Sequence, residues 1–90
     1  MNMPVLSVFY GIIVRIFKED QGQHHAPHIH AFYSGKRVVV ALDGEVLTGE
    51  IPRNKMKLLL AWMEIHQEEI KANWDLISEG EQVFRIEPLR

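Results

Sequence analysis

The sequence predicts an α+β domain: an antiparallel meander sheet of four to five strands with one long, broken helix packed on one face. Three observations carry this expectation. Short runs rich in β-branched and aromatic residues fill the first half of the chain. Two glycine-bearing pairs, Ser34-Gly35 and Asp43-Gly44, mark tight hairpin turns between three of those runs. From Met56 to Ile77 apolar residues recur every three or four positions, the spacing of one helix face.

Taken in order, Val5 to Phe17 is almost continuously apolar, broken by Gly11 and Arg15, and reads as one central strand covered on both faces. Lys18 to Pro27 is polar, contains Gly22 and ends on proline, so it reads as a loop. Two-residue turns then set the register of the next three strands. Tyr33 pairs with Lys36, His30 with Val39 and His28 with Ala41; Leu42 pairs with Glu45 and Val40 with Leu47. One sheet face collects Ile29, Ala31, Val38, Val40, Leu42 and Leu47 and is the expected core. The opposite, half-wet face carries His28, His30, Phe32, Arg37, Val39, Ala41, Val46 and Thr48.

Pro52 suits a helix start, where its missing N–H has no partner to lose. Met56, Leu59, Leu60, Met63, His66, Ile70, Trp74 and Ile77 form the apolar stripe, and Gly80 is a stop signal. A straight helix over Arg53–Glu79 would run about 40 Å, so a break is expected near Lys71–Asn73, with Asn73 capping the second part. Gln82 to Glu87 alternates Val83, Arg85 and Glu87 with Phe84 and Ile86, which reads as a last strand.

Composition bounds the function. The 90 residues form one domain, 1–90, with 47% hydrophobic content and a net charge of −2 at a pI of about 6.2. This balance excludes a global basic field of the kind that drives non-specific nucleic-acid binding, though not a local patch. With no cysteine, disulfides and thiolate metal sites are excluded. No apolar run approaches a membrane span, and the N-terminus lacks the pattern of a signal peptide; a cytoplasmic protein that does not engage membranes is expected.

Chemistry concentrates in His24-His25-Ala26-Pro27-His28-Ile29-His30, which holds four of the five histidines. On a strand, His28 and His30 point the same way with Cβ atoms about 6.5 Å apart. Such a pair can grip a divalent, zinc-like ion, with His24 swinging in from the loop as a third ligand and one position left open. Alternatively His28 and His30 serve as general acid and base without metal, as phosphodiester cleavage requires, with Arg37 diagonal to His30 steadying a phosphate. The plainer alternative makes both rings amphipathic fillers of a half-wet sheet face.

Other candidates are weaker. His66 lies on the apolar helix stripe with Glu69 at i+3, the position of a buried, hydrogen-bonded core histidine more than of a ligand. Arg53, Lys55 and Lys57 crowd a helix start, where the macrodipole disfavours cations, and suggest an anion-binding corner for RNA or an acidic partner; a solvated charged face is the plainer alternative. Trp74 continues the packing stripe, whereas Trp62 sits off its centre and is the better partner contact.

Several strings together resemble one small bacterial family: Phe9-Tyr10-Gly11-Ile12, Pro27-His28-Ile29-His30-Ala31, Gly44-Glu45-Val46-Leu47 with Gly49, Trp62 with His66 and Glu69, Asn73-Trp74, and Arg85-Ile86-Glu87-Pro88-Leu89. The chain is similar to domain of unknown function 4160 over nearly its whole length, and the doubled His24-His25 is a local variant. The resemblance brings no established activity. It implies membership of a two-gene, toxin–antitoxin-type module, with a small partner protein encoded alongside. The family pattern runs through His28, His30, His66 and Trp74 and so favours adding His66 to the site; the strand register argues against it. Two functions follow as expectations. One is a histidine-dependent, RNA-cleaving toxin; the other is a non-enzymatic binding module, antitoxin-like or regulatory, that contacts the partner through Phe32, a sheet edge and Trp62. Open sheet edges also allow a homodimer.

Overall fold

The computed structural model describes residues 3–18 and 26–90. Five strands form one antiparallel meander in sequence order: β1 (Val5–Phe9), β2 (Ile12–Arg15), β3 (His28–Tyr33), β4 (Lys36–Ala41) and β5 (Val46–Gly49). Two helices follow, α1 (Arg53–Ile65) and α2 (Gln67–Ser78). The α+β class and the meander match the sequence expectation; the first strand, the helix break and the last strand do not.

The apolar run Val5–Phe17 folds back on itself. Tyr10 and Gly11 take φ of 52° and 82°, so both central residues of the turn are left-handed and β1 pairs with β2, Phe9 opposite Ile12. A Tyr-Gly pair is a weaker hairpin signal than Asn-Gly, which hides the turn from composition alone. A bulge between Val5 and Ser7 keeps both Leu6 and Phe9 buried. β1 is therefore an edge strand rather than a central one.

Ser34 and Gly35 (φ 48° and 80°) make the expected two-residue turn, and the β3–β4 register is the expected one: His28 opposite Ala41, His30 opposite Val39, Tyr33 opposite Lys36. The next turn holds three residues. Gly44 N–H donates to the Ala41 carbonyl at 2.8 Å, Ala41 N–H to the Glu45 carbonyl at 2.8 Å, and the Asp43 carboxylate accepts from Glu45 N–H. Ala41, not Leu42, thus faces Glu45, and Val40 meets Val46 in place of Leu47. A bulge between Val39 and Val40 then sets Val39 opposite Thr48. Leu47 is only half-buried and lies outside the core.

The helices cover one sheet face. Leu6, Ile12, Val14, Ile29, Val38 and Val40 from the sheet meet Leu59, Trp62, Met63 and Ile70 from α1 and α2. Pro52 lies just before α1, its carbonyl accepting from Lys55 and Met56 N–H at 2.9 Å each. The helical path breaks at His66 (φ −112°, ψ 28°), well before the expected Lys71–Asn73. The backbone bonds His66 N–H to Trp62 carbonyl and Ile70 N–H to His66 carbonyl persist, so the two helices meet in a kink rather than a loop. Asn73 is not a cap; it is buried inside α2. The helix ends as Gly80 predicts, with Glu81 N–H bonded to the Leu76 carbonyl and Gly80 N–H to that of Ile77.

The C-terminal segment forms no strand. Ile86 N–H donates to the Leu6 carbonyl at 2.8 Å, one ladder-like bond. Two other backbone groups are taken by helix side chains: Phe84 N–H donates to Asn73 Oδ1 at 2.8 Å, and the Glu87 carbonyl accepts from Trp62 Nε1 at 2.8 Å. Side-chain bonds replace the ladder, and the segment straps the core with Ile86 inside it.

Gly49 is the least replaceable glycine. Its φ is +79°, and a Cβ there would lie 2.2 Å from the Arg37 carbonyl oxygen, which also accepts from Glu50 N–H. We expect Gly49→Ala to destabilise the domain by about 3 kcal/mol in urea unfolding, through left-handed strain and backbone overlap together. A loss under about 1 kcal/mol would show that the β4–β5 edge relaxes freely.

Candidate functional site

His28 and His30 lie on the sheet face opposite to Ile29 and Ala31, as their alternation along β3 requires. They are not half-wet: His28 is 0% exposed and His30 2%. Their rings meet edge-to-face at 5.2 Å. Phe17, just past β2, stacks on His30 at 4.3 Å, and Trp74 of α2 tilts over His28 at 5.2 Å. Val39 and Ala41, paired across from the two histidines, are buried with them. This corner is a second, aromatic-walled core and not the solvated surface expected.

His28 is oriented. Its Nδ1 lies 2.7 Å from the Ala26 carbonyl oxygen, which can only accept, so Nδ1 carries the proton and, in the neutral ring, the basic lone pair sits on Nε2. Fixing one imidazole nitrogen on a backbone carbonyl is how proteins set a histidine tautomer for either metal binding or proton transfer. His28 and His30 supply two imidazoles. The third histidine expected of a metal site, His24, lies outside the described residues, and among the described residues no group of three or more metal-ligating side chains gathers.

The meander brings Arg15 to the site. Arg15 stands directly across from His30 in the β2–β3 ladder, with one guanidinium nitrogen donating to the Met3 carbonyl at 2.7 Å. Reading Val5–Phe17 as a single strand concealed this pairing; a turn at Tyr10-Gly11 would have revealed it. Arg37 is exposed on β4, opposite Phe32 and diagonal to His30, as the register required.

The remaining candidates go elsewhere. His66 forms the helix kink; its Nδ1 lies 2.6 Å from a Glu69 carboxylate oxygen and its ring 5.7 Å from Trp62. These contacts, to Glu69 on α2 and to Trp62 in the core, are made on the helices. Trp62 is fully buried, packed on Phe9 at 5.3 Å, and is therefore core rather than an exposed partner contact. Of the cationic corner, Lys55 is engaged: its Nζ donates to the Tyr10 carbonyl at 3.0 Å and sits 4.9 Å from the Tyr33 ring centroid, bracing the β1–β2 turn. Only Arg53 and Lys57 remain exposed there.

Fold and site together define a small α+β domain whose outer sheet face carries a buried histidine pair between aromatic walls. The profile of the family described as Domain of unknown function (DUF4160) matches residues 11–75, and the chain belongs to that family. The match runs from the β1–β2 turn through Trp74 and includes both histidines. No curated protein and no solved structure matches the chain significantly. No helix of the described residues is long and apolar enough to cross a membrane.

The Ala26 contact makes a spectroscopic prediction. Long-range proton–nitrogen correlation spectra of the histidine rings should show the neutral form of His28 with its proton on Nδ1. An Nε2-protonated pattern would mean that the 2.7 Å contact is not a hydrogen bond.

Proposed function

We propose that this domain acts by binding: it is the antitoxin-like or regulatory member of a two-gene, toxin–antitoxin-type pair and contacts a small partner protein. The observation that carries the reading is the contrast between the two halves of the outer sheet face. The half bearing His28 and His30 is buried, with Phe17 stacked on one ring and Trp74 tilted over the other. The other half is open: Val8, Ile13, Phe32 and Arg37 are consecutive partners across four strands, with Val8 46% exposed and Ile13 and Phe32 half-buried. An apolar row ending in arginine suits a protein contact, where aromatic and arginine side chains contribute most.

A second reading, histidine-dependent RNA cleavage, is favoured by the fixed tautomer of His28 and by Arg15 and Arg37 flanking His30, two cations placed to hold a phosphate. It requires the aromatic walls to open. In that reading Arg53 and Lys57 extend the phosphate track, and any divalent ion would sit on His28 and His30.

Two experiments separate these readings. Untagged protein is expressed in a bacterial host as wild type and as His28→Ala/His30→Ala, following growth, total RNA and soluble yield. It is also co-expressed with the protein encoded beside it. Binding predicts intact RNA in both strains and a complex that survives the double histidine change. Phe32→Glu should weaken that complex at least tenfold, since it places a charge in the apolar row. Growth arrest with RNA decay in the wild type alone, at equal soluble yield, would overturn the binding reading in favour of cleavage.

A further inference from the structure

Two clefts flank the β4–β5 turn and share Leu42 and Asp43 as a common wall. One, of about 310 Å³, runs over Pro27 to Trp74 and Asp75; the other, of about 260 Å³, runs to Leu60, Met63 and Glu64. The two clefts adjoin at Leu42 and Asp43 and, taken together, make one groove beside the turn and the helices. The cleft at Trp74 is mainly apolar and the other is mixed: Leu42 and Trp74 are half-buried, Met63 is buried, and Leu60 leaves 37% of its surface open.

The rim of the groove is acidic. Asp43, Glu64 and Asp75 are all exposed. Among the described residues the one cation lining either cleft is Lys71, 3.7 Å from Asp75 and itself 73% exposed, a pair too solvated to neutralise the rim. A partly apolar floor between carboxylates fits an extended or helical segment with apolar side chains on one face and lysine or arginine on the other. It disfavours nucleic acid, whose phosphates meet three like charges.

We propose that this groove is the docking site for a cationic, amphipathic segment of a partner protein. The inference rests on the binding reading and deepens it, naming the chemistry of a partner at a place separate from the Phe32 row. It also links the groove to the histidine corner: Trp74 lines the groove and lies 5.2 Å from the His28 ring. A segment seated there leans on the aromatic wall that covers His28.

The test uses a short fluorescein-labelled peptide alternating leucine and lysine, read by fluorescence anisotropy; an unlabelled copy reports through protein tryptophan emission. Trp62 is fully buried, so a change in emission reports on Trp74. Saturable binding with an emission change is expected. Glu64→Lys/Asp75→Lys should weaken it about tenfold, as two reversed surface charges would, and Glu79→Lys/Glu81→Lys, an equal change in net charge outside the groove, less than about twofold. Circular dichroism confirms that both variants fold. Equal losses in the two variants would overturn the proposal, as would displacement of the peptide by an oligouridine. So would sedimentation showing a wild-type dimer that Glu64→Lys dissolves, which makes the occupant a second copy. If these arms fail while Phe32→Glu still breaks the co-expressed complex, the groove proposal falls alone and the binding reading stands.

Discussion

Asn73 is completely buried and uses both ends of its carboxamide on the backbone: Nδ2 donates to the Glu69 carbonyl one turn back, and Oδ1 accepts Phe84 N–H from the C-terminal segment. Unmet, either group would cost about 1–3 kcal/mol. Met together, they fix α2 against a segment that is itself tied to α1 through Trp62 and to β1 through Leu6. A 90-residue chain without disulfides has little core to spare, and this bond closes the circuit from last residues to first strand. Trp74, the next residue, is thereby held over His28. The geometry of the candidate site thus depends on an amide that never touches it.

Much of the fold was legible because local signals agreed. Ser34-Gly35 demands left-handed residues and took them, so β3 and β4 paired in the register read from two residues. Gly80 ended α2 through the backbone bonds that a left-handed residue permits. The failures came where a signal was weak or tertiary. Tyr10-Gly11 is an uncommon hairpin pair within an apolar run, and only the pairing of β2 with both neighbours identifies it. Asp43-Gly44 has the composition of a two-residue turn but closes over three, and a bulge absorbs the difference. Asn73 has a good capping side chain, and nothing local says that Phe84 will claim it.

The site was half legible. Alternation along β3 placed His28 and His30 together on one face, and their rings do meet there, 5.2 Å apart. What alternation cannot give is cover. Phe17 and Trp74 come from outside the three-strand meander, one from beyond β2 and one from the far helix, and they turn a nominally wet face into a packed corner. The same step moved Trp62 from expected contact to core. Burial changes what the two imidazoles need: proton exchange with a substrate requires access, whereas shaping a corner requires neighbours.

Among the described residues β5 (Val46–Gly49, between Glu45 and Glu50) is the last strand of the sheet, with no strand beyond it. If a second copy added its β5 antiparallel so that all four residues paired, Glu45 of each chain would fall opposite Glu50 of the other. Two like-charged pairs then guard the edge, one at each end of the shared strand. A foreign strand bearing lysine or arginine at those places meets no such repulsion. The charges flanking β5 thus weigh against self-pairing in this register without closing the edge to other strands.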